Sequence, residues 1–166
     1  MSKFTQAALM AVSIASATVS STALAAPKLP SAPYLPLELA QKAANSAMAK
    51  CLADGQNVSV AVVDRSGNTR VLLKSDQSGP HTVGSSTGKA FTSASMGRPT
   101  SGLANFLKDH RELDGLRDMD SRLVILAGGL PIKIGDALIG GIGVGGAPSG
   151  MIDEACAQAG VDAITR

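Results

Sequence analysis

The chain is poor in aromatic residues and has no long apolar run. Its 166 residues include three Phe, one Tyr and no Trp. Aromatic side chains therefore cannot build the core, which must be filled by Val, Ile, Leu, Ala and Met. No segment offers the roughly 20 consecutive apolar residues that a membrane-spanning helix needs. We therefore expect no insertion into a membrane.

An excess of charge of one sign is also lacking. The formal net charge is +2, and loss of residues 1–25, which include Lys3 and no acidic residue, would lower it to +1. Proteins that bind nucleic acid usually concentrate positive charge against the phosphates. The balance here argues against nucleic acid as a partner.

The first 25 residues are typical of a secretory signal peptide. Lys3 precedes a run of apolar and small residues at 7–17, and Ala23 and Ala25 supply the small residues of a cleavage site. We predict a signal peptide over residues 1–25, a Pro-rich linker over 26–36 and a single domain over 37–166. The mature chain would then be periplasmic or secreted.

Cysteine is limited to Cys51 and Cys156. In an exported protein such a pair is more often bridged than free. Cys51 shares the apolar stripe of the first predicted helix with Ala43 and Ala47, and Cys156 lies on the last predicted helix. We predict that the two cysteines form a disulfide, and two reduced cysteines in separate helices are the alternative.

Hydrophobic periodicity and turn residues predict an α+β domain. Helices are expected at 37–53, 82–96, 101–108 and 149–159, and a hairpin in "NVSVAVVDRSGNTRVLLK". Three further strands are predicted in "RLVILA", "LPIKI" and "ALIGGIGVGG". The order is αββααβββα. Because the strands are joined by short connections, we expect a five-stranded antiparallel sheet flanked by helices.

A G-x-G-x-x-G pattern occurs at Gly141, Gly143 and Gly146. A dinucleotide-binding loop needs a following helix, a second strand and an acidic residue about 20 positions further on. Only 20 residues follow Gly146, which is too few. We interpret the segment as a strand whose glycines let another backbone or a ligand lie close.

Four segments, taken in order, resemble the GlcG/HbpS family, which is related to the C-terminal domain of PduO-type proteins. They are "VAVVDRSGN", "GPHTVGSSTGKAFTSAS", "LAGGLPIKIGDALIGGIGVGGA" and "DEACAQAG". The resemblance implies a profilin-like fold with a five-stranded antiparallel sheet. It also implies assembly into a homo-oligomer, and haem or a related tetrapyrrole as the ligand.

The central motif carries the candidate haem ligands. His81 follows Gly79-Pro80 at the expected start of a helix, where its imidazole can ligate a metal or haem iron. Thr82 is an alternative oxygen ligand, because the resemblance implies that some family members use Thr. Lys89 lies two helical turns further on and can reach a haem propionate. The alternative is that His81 caps a turn and Lys89 is a solvated or paired surface charge.

Few residues are available to complete the pocket. Phe91 and Met96 are the candidate apolar wall near the motif, since a haem pocket usually has apolar and often aromatic sides. Gly128 and Gly129 either turn one strand into the next or offer backbone N–H groups to an anion.

The second histidine, His110, lies in the charged segment "DHRELDGLRDMDS". We expect it to be solvated. Four acids of this segment do not follow the spacing of a calcium-binding loop, so we expect a solvated loop there as well; they are Glu112, Asp114, Asp118 and Asp120.

Three classes of function follow from these residues and the resemblance. The first is an exported, oligomeric protein that binds haem or a related tetrapyrrole for sensing or sequestration. The second is an enzyme of the same fold in which His81 and Lys89 degrade haem or act on a small acid. The third is a structural or interaction module without a ligand.

Overall fold

The computed structural model describes residues 28 and 30–165, and Ala32–Arg166 form one compact unit. The predicted signal peptide over residues 1–25 lies outside the described residues. The unit contains four α-helices, α1 to α4, and four strands, β1 to β4. In chain order they are α1 (Leu37–Ala53), β1 (Ser59–Asp64), β2 (Thr69–Lys74), α2 (His81–Met96), α3 (Thr100–Asp109), β3 (Gly129–Ile134), β4 (Ala137–Gly145) and α4 (Gly150–Thr165). A 3₁₀ helix, Arg111–Arg117, lies in the charged segment after α3.

The strands form one antiparallel sheet in the order β2-β1-β4-β3. The β1–β2 turn is built locally, as predicted. The Asp64 carboxylate accepts hydrogen bonds from the backbone N–H groups of Ser66 at 2.9 Å and Asn68 at 3.0 Å. Gly67 takes the positive φ of 82° that the turn requires. The antiparallel sheet between helices is therefore confirmed.

The sheet has four strands, and the predicted strand at 122–127 is wrong. This segment is irregular and lies against α2. The Val124 N–H donates to Thr92 Oγ1 at 2.8 Å. The Val124 side chain packs against Gly88 of α2, and a Cβ on Gly88 would lie only 2.3 Å from Val124 Cγ2. The observed order is αββααββα, and the Val124 N–H bonds to a side chain of α2 and not to a neighbouring strand.

One face of the sheet packs against α1 and α4. Val60 and Val62 on β1 and Ile142 and Val144 on β4 are buried there, together with the Ala-rich faces of the two helices. Small side chains let the helices approach, and a disulfide joins Cys51 to Cys156 with their Cα atoms 5.5 Å apart. The predicted disulfide is confirmed.

The other face packs against α2, and the glycines of β4 make this contact possible. A Cβ on Gly141 would lie 2.4 Å from the Ala90 carbonyl oxygen, and one on Gly143 would lie 2.1 Å from that of Ser86. Any side chain at these positions would push the helix away. The interpretation of this segment as a strand with close backbone approach is confirmed. Within the described residues no helix combines the length and hydropathy needed to cross a membrane.

Candidate functional site

An open cavity of about 370 Å³ lies where the N-terminal ends of α2 and α4 meet the segment before β3. We call it the His81 cavity. Its lining residues are His81, Ser85 and Lys89 from α2, Leu126 and Ala127, and Gly146, Ala147, Ser149, Gly150, Met151 and Asp153 around the start of α4.

His81 is the first residue of α2, and its side chain is exposed at the edge of the cavity. Gly79 makes room for the imidazole, since a Cβ there would lie 2.7 Å from His81 Cε1. No hydrogen bond from any residue in the described part of the chain engages the ring. Its nitrogen lone pair is therefore available to a ligand.

The inner wall of the cavity is a buried ion pair. Lys89 Nζ donates to Asp153 Oδ2 at 2.7 Å and to the Val144 carbonyl oxygen at 2.9 Å. Asp153 Oδ1 accepts from the Ala147 N–H at 3.1 Å. Burial raises the pKa of the Asp153 carboxyl, and the hydrogen bond and positive charge of Lys89 oppose the rise. The pair ties α2, β4 and α4 together at this wall.

Thr82 is buried and lies outside the lining of the His81 cavity. Its Oγ1 donates to the Gly79 carbonyl oxygen at 2.7 Å and lies 2.7 Å from Ser59 Oγ. These bonds attach the start of α2 to β1. The structure therefore places Thr82 where it positions His81 and engages its hydroxyl within the protein.

Phe91 and Met96 are not brought to the His81 cavity. Phe91 borders a second cavity of about 300 Å³, and the guanidinium carbon of Arg122 lies 4.1 Å from the centre of its ring. Met96 packs against the buried residues Leu103 and Leu107. Phe91 lies on another face of α2, whereas Met96 lies two turns beyond Lys89, at the C-terminal end of the helix.

Gly128 and Gly129 are buried behind the ion pair. Their N–H groups are already used, at 3.2 Å from Glu154 Oε2 and 2.8 Å from Thr100 Oγ1. Gly128 has a φ of 119°, and a Cβ there would lie 2.9 Å from Lys89 Nζ. The structure thus uses Gly128 to admit the lysine, and neither N–H group faces the cavity as a free donor.

His110 stacks on Phe106 with the ring centres 4.2 Å apart, and its Nδ1 lies 3.2 Å from Glu112 Oε1. It lies outside the lining of the His81 cavity.

The acids of the charged segment do not form a metal site. The hydrogen bonds and charge of Arg122 lower the pKa of Asp120 to about 2. Within the described residues no three His, Cys, Asp or Glu side chains come together as a metal-binding group.

The structure adds Asp153, Leu126 and Met151 to the site, and none of them is predicted from the sequence. One signal for Asp153 exists. It lies three and four residues before the buried Cys156 and Ala157, on the apolar face of α4, where an acid must find a partner. Leu126 carries no such signal, because its segment has the composition of a strand.

The four-stranded sheet packed between helices and the His81 cavity at the starts of α2 and α4 define a layered α+β domain with a candidate ligand-binding pocket. Residues 35–162 match the family model described as "Haem degrading protein HbpS-like". The chain therefore belongs to the HbpS-like family, and the predicted resemblance is confirmed.

Three similar proteins illustrate the relationship. A crystal structure of a double mutant of Streptomyces reticuli HbpS is 42% identical with a TM-score of 0.79, covering 89% of this chain and 99% of that one. A PduOC:heme complex is 24% identical with a TM-score of 0.74, covering 80% and 96%, which supports the fold alone. An uncharacterized 15.0 kDa protein of Citrobacter freundii, from the dhaT-dhaS intergenic region, is 32% identical over 111 residues, or 66% of this chain and 78% of that protein.

Proposed function

We propose that the chain is an exported, homo-oligomeric protein that binds haem or a related tetrapyrrole at the His81 cavity, for sensing or sequestration. The observation that carries the proposal is the exposed His81 imidazole, which has no hydrogen-bond partner among the described residues and stands at the edge of a cavity. Membership of the HbpS-like family supports haem as the ligand.

The chemistry of the cavity fits a tetrapyrrole. His81 would ligate the iron, and haem when bound would supply a redox-active iron centre. Leu126 and Met151 line the same cavity and are 59% and 60% exposed, so they offer apolar surface for a macrocycle to cover. The volume of about 370 Å³ lies near the lower end of the range of small-molecule sites, about 300–1,000 Å³.

Lys89 contributes to this site mainly by holding its inner wall. Its charge is balanced by Asp153 at 2.7 Å, so its role as a propionate partner stays a prediction.

Export is supported by the composition of residues 1–25 and by the Cys51–Cys156 disulfide, since such bonds persist in oxidising compartments. The homo-oligomer is proposed from the family resemblance, and light scattering of the mature chain at tens of micromolar tests it.

A hemin titration of the mature chain tests haem binding, with the Soret band as the readout. We expect His81→Ala to weaken or alter the spectrum, because it removes the proposed iron ligand. His110→Ala is the matched control, since it removes an imidazole outside the cavity. Equal spectra for both variants and the unmodified chain would refute the assignment of His81, and no spectral change with excess hemin would favour the structural module.

Metal-free protoporphyrin separates iron ligation from apolar contact. Leu126→Asp should weaken the binding of both hemin and protoporphyrin, because it places a charge on the surface that contacts the macrocycle. His81→Ala should affect hemin much more than protoporphyrin. The same loss for both ligands in both variants would contradict the division of roles between His81 and Leu126.

A haem-degrading enzyme is the second candidate, favoured by the description of the family. The experiment supplies a reductant to the hemin-loaded protein and follows the visible spectrum for release of a linear tetrapyrrole. Formation of that product at a rate above that of free hemin would replace the binding protein by the enzyme as the conclusion.

A further inference from the structure

The positive charge at the inner wall of the His81 cavity is already paired. Within the described part of the chain, Lys89 and Asp153 are the charged residues that line the cavity, and both side chains are 4% exposed. Lys89 Nζ donates to Asp153 Oδ2 at 2.7 Å and to the Val144 carbonyl oxygen at 2.9 Å. The protein itself therefore holds and neutralises the ammonium.

A second acid lies behind this wall. Glu154 follows Asp153 in α4, and its carboxylate accepts from the Gly128 N–H at 3.2 Å and from Ser101 Oγ at 2.7 Å. Gly128 lies beside the lysine, since a Cβ on it would lie 2.9 Å from Lys89 Nζ. Two carboxylates and one ammonium therefore give the wall a net negative charge.

The N–H groups around the start of α4 are engaged as well. The Asp153 carboxylate accepts from the Ala147 N–H at 3.1 Å. The oxygens of Ser149 accept from the N–H groups of Met151 at 3.2 Å and Ile152 at 3.0 Å. A helix start binds an anion through N–H groups that have no other partner. A ligand carboxylate brought to this end of the cavity would find these donors occupied.

We propose that the His81 cavity admits the carboxylate-free edge of a tetrapyrrole and leaves the carboxylates of the ligand in solvent. Lys89 has a third N–H, but a carboxylate bound there would add a buried negative charge to a wall that is already negative. Such a charge is costly unless it is paired. The cavity therefore selects tetrapyrroles whose carboxylates lie together at one edge. The inference rests on the proposed function and narrows the chemical class of its ligand.

Three iron porphyrins test the inference, with the Soret band as the readout of binding to the mature chain. Hemin carries its carboxylates at one edge, whereas iron coproporphyrin carries one on every pyrrole ring. Iron deuteroporphyrin keeps the carboxylates of hemin and lacks its vinyl groups, so it controls for the loss of apolar contact. We expect iron coproporphyrin to bind at least about tenfold more weakly than the other two, because one of its carboxylates must enter the cavity.

The outcomes separate the inference from the proposed function. Binding of iron coproporphyrin as tightly as iron deuteroporphyrin would overturn the inference and leave haem binding intact. Tighter binding would also overturn it, and would favour Lys89 as a partner for a propionate. Failure of all three iron porphyrins to bind would refute the proposed function, and the inference with it.

A matched pair of variants assigns the effect to the wall. Asp153→Asn removes the counter-ion of Lys89 and should bring the affinities for iron coproporphyrin and iron deuteroporphyrin to within about threefold of each other. Asp120→Asn removes the same charge from an ion pair outside the cavity lining, with Arg122 at 2.6 Å, and should leave the wild-type ratio unchanged. Equal ratios in the two variants would overturn the role of the wall. The wild-type comparison decides the selectivity even if Asp153→Asn fails to fold.

Discussion

Removal of the Cys51–Cys156 disulfide tests how the two helices of one sheet face are held. The bond joins residues separated by 105 positions, so it closes most of the domain into a loop. In the chain-entropy model a loop of about 100 residues is worth about 4.7 kcal/mol, because the cross-link restricts the unfolded chain. We expect the free energy of unfolding to fall by about this amount when the bond is reduced.

The native contacts should survive reduction. Both cysteines are fully buried in the core formed with the Ala-rich faces of α1 and α4. The two thiols remain small apolar groups in the same core, so the reduced protein tests mainly the cross-link. With an unfolding entropy of about 2.1 cal/mol/K per residue over the described domain, a loss of about 4.7 kcal/mol lowers the melting temperature by about 17 °C.

Urea unfolding of the oxidised and reduced protein measures the difference directly. A variant with Cys51→Ala and Cys156→Ala should be at least as destabilised as the reduced protein, because it also removes the two sulfur atoms from the core. A difference between oxidised and reduced protein below about 1 kcal/mol would refute the reasoning, since the cross-link would then not restrict the unfolded chain as assumed.

Two further predictions concern local packing and charge. Gly84→Ala in α2 should raise the free energy of unfolding by up to about 1 kcal/mol, because its Cβ meets no atom within 4 Å and Ala favours helix. Gly143→Ala should lower it by about 2 kcal/mol or more, because its Cβ would lie 2.1 Å from the Ser86 carbonyl oxygen; urea unfolding checks both, and effects of the same sign would contradict the argument. By carbon-13 NMR, Asp120 should show a pKa of about 2, returning towards 3.8 in Arg122→Ala. Because folding lowers this pKa, the stabilisation is present above about pH 4 and lost as pH falls towards 2; an unchanged titration in the variant would contradict it.

Local sequence patterns determine the helices and the hairpin. The apolar stripe of α1 repeats at helical spacing, and the β1–β2 turn is closed by Asp64 and Gly67 within the same few residues. The cysteines are predictable for a related reason, because each lies on the apolar stripe of its own helix. For the helices and the hairpin, the signal and the interaction that satisfies it lie close together in the chain.

Part of the candidate site is also within reach of the sequence. His81 is expected at a helix start and is found there, because Pro80 disfavours helical backbone at Gly79. Phe91 follows Lys89 by two positions, and residues at this spacing do not share a helix face. Helical geometry alone therefore separates Phe91 from a cavity that Lys89 lines.

Only the tertiary structure decides the rest. Residues 122–127 have the composition of a strand. However, the Val124 N–H donates to the hydroxyl of Thr92, 32 residues earlier, and not to a neighbouring strand. The charge of Lys89 is balanced by Asp153, 64 residues away on another helix. Strand propensity and side-chain charge are properties of a short window, whereas the partner that satisfies a backbone N–H or a buried ammonium is set by how distant elements pack. The sequence therefore determined the helices, the hairpin and their apolar faces, and packing determined the number of strands and the inner wall of the cavity.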